Sequence, residues 1–141
     1  MNTQHQIKEY IASLPEPKRS EVEALHHHLL QLLPGAKLWF LDGRDEKGKV
    51  VSNPTIGYGS QTINYADGKT KEFFQSGISP NSTGISVYIM GIKDKNHLPE
   101  TYSKTIGKAR VTGYCIKFKT LKGINLTTLD TAILDGVSQT T

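Results

Sequence analysis

An α+β fold, with an antiparallel β-sheet of about five to six strands and helices packed mainly on one face, is predicted by three features of the chain. Apolar residues recur at helical spacing through residues 7–33. Between residues 37 and 91 the period shortens to two, and Gly, Asn and Asp punctuate it at intervals. After one further alternating segment, helical spacing returns near the C-terminus. The expected element order is α-α-β(5)-α-β-α.

Each element has its own signature. Ile7, Tyr10, Ile11 and Leu14 make the apolar stripe of a first amphipathic helix, which Pro15 ends. Pro17 suits the first turn of a second helix striped by Val22, Leu25, Leu29, Leu32 and Leu33 and stopped by Pro34-Gly35. Leu38-Trp39-Phe40-Leu41 reads as a strand, followed by a polar loop and by extended chain from Val50 past Pro54 to Tyr58. Ile63 and Tyr65 lead into a hairpin turn at Asp67-Gly68, with residues 70–78 as the single returning strand. Ile85, Val87 and Ile89 alternate with Ser86, Tyr88 and Met90, the clearest strand pattern in the chain. Pro99 marks the start of a short helix that includes Tyr102 and Ile106, with Gly107 as its cap. In a last strand Tyr114, Ile116 and Phe118 are expected to face the core, with Cys115, Lys117 and Lys119 opposite. Leu126, Leu129, Ile133 and Leu134 stripe a closing helix.

The bulk numbers narrow the class of protein. With 141 residues, 36% hydrophobic and 21% charged, the chain has the size and composition of one ordered domain, and no repeat or linker divides it. Its polar first residues and the lack of a long apolar run predict neither a signal peptide nor a membrane span. The lone Cys115 excludes an internal disulfide and agrees with a reducing compartment, so a cytoplasmic location is expected. The formal charge of +4 is unevenly spread. Between Glu100 and Asp130 the chain holds Lys104, Lys108, Arg110, Lys117, Lys119 and Lys122 without one acidic residue.

Several stretches together resemble a known family. Residues 7–19, with the helix-Pro15-Glu16-Pro17-helix opening, Leu33-Pro34-Gly35-Ala36, Pro54-Thr55-Ile56-Gly57-Tyr58, and Gly107-Lys108-Ala109-Arg110 before Cys115-Ile116-Lys117-Phe118-Lys119 resemble the YdhG-like domain of unknown function 1801. The resemblance covers nearly the whole chain and implies an α/β sandwich loosely similar to frataxin, in a family where one branch is discussed as an iron chaperone. Where that family shows a Lys-Trp-Gly-x-Pro run, this chain separates Trp39 from Pro54 by a polar insert at residues 44–49. Trp39, Pro54 and Tyr58 are the ligand-binding candidates of that neighbourhood.

His26-His27-His28 are successive on a helix and point about 100° apart, so the three cannot converge on one metal. They read as a solvated helix face, with His27 placed to pair with Glu23. Cys115 has Lys117 two residues on along the same strand face, but reads as a small core residue rather than a nucleophile. Gly57-Tyr58-Gly59 lacks the third glycine and following helix of a dinucleotide loop, and no Gly-x-Ser-x-Gly, Cys-x-x-Cys, His-Glu-x-x-His or P-loop occurs. Glu9, Glu16, Glu21 and Glu23 are offset by Lys8, Lys18 and Arg19, which does not favour iron or any other cofactor.

The function expected from these readings is that of a non-catalytic binding module for a small anionic ligand or a protein partner. Lys108, Arg110 and Lys117 are its cationic candidates. Tyr88, with Asn64, Ser86 and Met90, belongs to a sheet face left free by the helices, open to a ligand, a partner or a second copy of the chain. An iron-binding chaperone and a nucleic-acid-associated protein are the alternatives. Nucleic acid is disfavoured because alternation puts Tyr114 and Phe118 on the core side, away from bases.

Overall fold

The computed structural model describes residues 2–141. Helix α1 (Thr3–Ser13) begins where the Asn2 side chain accepts the His5 backbone N–H at 2.8 Å, and it buries Ile7 and Ile11. Pro15 and Pro17 separate it from α2 (Lys18–Leu32), whose Val22, Leu25 and Leu29 are completely buried. Eight strands follow with one interruption: β1 (Leu38–Leu41), β2 (Thr55–Tyr58), β3 (Gln61–Asn64), β4 (Thr70–Phe73), β5 (Ser76–Asn81), β6 (Gly84–Ile89), then helix α3 (His97–Tyr102), β7 (Ala109–Val111) and β8 (Cys115–Phe118). A short 3-10 turn leads into α4 (Leu126–Gln139), capped by Asn125 accepting the Thr128 N–H.

The main sheet has the order β1-β2-β5-β6-β8-β7, antiparallel at every junction, while β3 and β4 form a separate two-stranded ribbon. Val87 sits at its centre, opposite Ile78 on one side and Ile116 on the other. Side chains directly opposite one another share a face, so Phe40, Ile56, Ile78, Val87 and Ile116 all point to the same side. That side meets Ile7, Leu25, Leu29, Leu98, Leu129 and Ile133 from the four helices in one apolar cluster. The fold class is as expected, and so is the burial of Ile85, Val87, Ile89, Ile116 and Phe118.

The structure corrects the expected order at two places. Residues 70–78 are two strands in different sheets, because Phe73 and Phe74 are consecutive large aromatics that one alternating strand cannot send to the same side. The chain kinks there, and Phe74 lies across Gly57 and Gly77 on the side of the sheet away from the helices. Phe73 packs against Phe74 with centroids 4.2 Å apart and planes tilted by 40°, and meets Trp39 edge-on, so this hairpin covers the β1–β2–β5 part of the far face. Ala109–Val111, where the expected order has no strand, is a sixth strand of the main sheet, too short for alternation to show.

Smaller corrections follow the same logic. Gly107 does not cap α3, which ends at Tyr102; it bridges to Ile124 instead. In α4 Leu134 is exposed, and Ala132 and Gly136 take its place in the buried stripe, Gly136 because Ile89 approaches too closely for a side chain. Asn64 belongs to the ribbon rather than to the main sheet.

Candidate functional site

The far face of the main sheet divides into a covered half and an open half. Under the ribbon, Trp39 donates its indole N–H to the Gly59 carbonyl at 2.7 Å, and Lys37 sits over its ring. Pro54, just before β2, accepts the Ser79 hydroxyl through its carbonyl. Tyr58 is on the helix side, fully buried, with its hydroxyl 2.5 Å from His26 Nδ1 and its pKa pushed up by burial. Trp39 and Arg110 lie on opposite edge strands, five inter-strand steps or about 24 Å apart. The predicted site residues therefore do not form one site.

Those that do come together lie on β6, β8 and β7. Arg110 is directly opposite Lys117 across the β7–β8 junction, and Tyr88 is opposite Cys115 across β6–β8. Lys108 and Lys119 lie just outside the paired residues, two positions from Arg110 and Lys117, and all four cations are exposed. Among the described residues none of the four has a carboxylate at ion-pair distance. Lys117 and Lys119 line a hollow of about 210 Å³ at the β5–β6 turn, together with Asn81, Thr83 and Ser86. The Asn81 amide donates to the Ser86 hydroxyl at 3.3 Å, and Asn81 Oδ1 accepts the Thr83 and Gly84 N–H groups, which fixes the turn. The hollow thus combines two ammonium groups with a hydroxyl and an amide.

Beside it, Tyr114 overturns its expected position. The chain turns before β8 begins, and Tyr114 is 55% exposed with its ring parallel to that of Tyr88, 3° between planes and 6.2 Å between centroids. Alternation failed because Tyr114 precedes the first residue paired in the ladder. Tyr88 lies opposite Cys115, which is buried, as is Ser86 two residues before Tyr88 on the same strand. Burial pushes the Cys115 thiol up, against the opposing pull of its Ser86 hydrogen bond and of Lys117, so the thiolate that nucleophilic chemistry requires is disfavoured there.

The histidines are more engaged than a solvated face would be. His26 is half-buried against Tyr58, and burial lowers its pKa ahead of the effect of His27. His28 is 2.6 Å from Asp130 of α4, and only His27 faces water, 3.9 Å from Glu23 as its spacing implies. His97 and Tyr102 of α3 both reach Asp135 of α4, at 2.6 and 2.7 Å. The carboxylates near the first helices are dispersed. Glu21 accepts the Leu121 N–H at 2.6 Å, Glu16 caps Ser20, and Glu9 meets His5. Among the described residues no three His, Cys, Asp or Glu side chains gather as a metal-holding group, and no helix is long and apolar enough to cross a membrane.

No family model, curated protein or solved structure matches the chain, and the functional reading rests on the geometry of this face.

Proposed function

We propose that the chain is a non-catalytic binding module whose β6–β8–β7 face docks an anionic group. The observation that carries this reading is a group of exposed cations with no carboxylate at ion-pair distance among the described residues: Lys117 and Lys119 line the hollow with Ser86 and Asn81, Arg110 stands opposite Lys117, and Lys108 is two residues before Arg110. Arg110 supplies a planar fork for two oxygens of a phosphate or carboxylate, and the lysines supply point charges. A hydroxyl at the floor can complete the oxygen shell without adding charge. Calorimetric titration with inorganic pyrophosphate at low salt tests it, in the parent and in an Arg110→Ala, Lys117→Ala double variant. Binding by the parent that weakens at least ten-fold in the variant is expected. Equal binding by both proteins would place the anion elsewhere and refute the assignment.

A further inference from the structure

We propose, building on the anion-binding reading, that the same face is a docking surface for single-stranded nucleic acid, with Tyr88 and Tyr114 receiving bases while Lys108, Arg110, Lys117 and Lys119 follow the phosphates. The parallel ring pair is the observation that separates this occupant from a simple anion. Tyr114 leaves more than half of its surface in water, and Tyr88, opposite the buried Cys115, is on the face that carries Arg110 and Lys117. A small anion uses only the cations. A duplex offers phosphates but hides its base faces within the stack, so the rings would go unused. A single strand presents both groups at once, and stacking on aromatics tolerates any base. Arg110 adds a second planar group able to lie against a base.

Arg110 on β7, with Lys108 just before it, also protects an edge strand from pairing with another chain, since β7 ends the sheet. That role does not explain the Tyr88–Tyr114 pair, because an exposed ring such as that of Tyr114 on an open face favours association. Four phosphate contacts on a single strand give a slope of log affinity against log salt near −3, or about 50-fold weaker binding between 50 and 200 mM salt.

Fluorescence anisotropy of labelled oligo(dT) and oligo(U), each about 12 nucleotides long, compares them with a matched duplex and with a polyglutamate peptide, in the full chain at several salt concentrations. The expected result is tighter binding of the single strands than of duplex or peptide, with the stated slope. Tyr114→Ala should weaken single-strand binding about ten-fold while leaving the slope nearly unchanged, because a ring releases no counterions. Arg110→Ala with Lys117→Ala should instead reduce the slope by about 1.4. Equal or tighter binding of duplex or polyglutamate, or an indifferent Tyr114→Ala, overturns the inference. So does sedimentation showing a dimer that Tyr114→Ala dissolves. Pyrophosphate binding by the parent alongside any of those outcomes leaves the anion reading intact, whereas loss of pyrophosphate and oligonucleotide binding together removes both.

Discussion

Gly77→Ala tests how the ribbon is seated on the sheet, because Phe74 lies where a side chain at residue 77 would be. A Cβ built at Gly77 comes within 2.9 Å of Phe74 Cε1 and 3.1 Å of Thr55 Cγ2. Gly77 is not among the glycines of positive φ, so its backbone accepts alanine and the cost is steric. Overpacking of this kind costs about 1–3 kcal/mol, while reduced freedom of the unfolded chain returns about 0.4–1 kcal/mol. The net loss expected is about 0.5–2 kcal/mol, or about 2–8 °C in melting temperature for a chain of this size. Phe74, only 3% exposed, should cost about 3–5 kcal/mol when cut to alanine. In the double variant the ring is gone and alanine at 77 meets only Thr55 and the Ile56 carbonyl, so the two losses should fall short of their sum by about 1 kcal/mol. Thermal and urea melts of the four proteins give the cycle. A Gly77→Ala protein as stable as the parent, or losses that add within about 0.3 kcal/mol, would refute the placement of Phe74.

Three other outcomes follow from the packing. Val87→Asp puts an unpaired carboxylate at a fully buried position between Ile78 and Ile116, and should lower stability by about 3 kcal/mol or more in a urea melt. At Asp135 burial pushes the carboxyl up, but hydrogen bonds from Gln139, Tyr102 and His97 and the charge of His97 together hold it below its ordinary 3.8. A depressed folded pKa gives stability that is present above the unfolded value and lost as pH falls through the folded one. The stability difference between parent and Asp135→Asn should therefore be constant near neutrality and shrink below about pH 4, and a difference that grew on acidification would contradict the pairing. Burial, followed by Asp135, pushes the Tyr102 hydroxyl up to about 12, so its share of stability persists at pH 9 and is lost between about 10 and 12, readable by tyrosinate absorbance during alkaline unfolding.

How much of this was legible in the sequence depended on the range over which the deciding contact acts. The β6 alternation of Ile85, Val87 and Ile89 and the stripe of Val22, Leu25 and Leu29 are local periodicities, and each residue is buried. The His28–Asp130 and Tyr102–Asp135 contacts join residues 102 and 33 positions apart, and no spacing rule reaches across such separations. Trp39, Pro54 and Arg110 looked equally eligible for a site because nothing local shows that β1 and β7 are the two edges of one sheet. Signals for two of the missed features were present. Adjacent Phe73 and Phe74 interrupt the alternation of residues 70–78, and Gly113 before Tyr114 marks a turn before β8. The basic run from Lys104 to Lys122 was evident as composition, but its meaning depends on Arg110 meeting Lys117 across a strand junction.

The most direct test of the basic face is residue-resolved. Amide chemical-shift mapping of the full chain during titration with inorganic pyrophosphate reports which residues meet the anion. Binding at the β6–β8–β7 face predicts shifts at residues 81–88 and 108–119, diminished by added salt and by Arg110→Ala with Lys117→Ala. Shifts centred on α1 and α2, or a pattern that the double variant leaves unchanged, would contradict it.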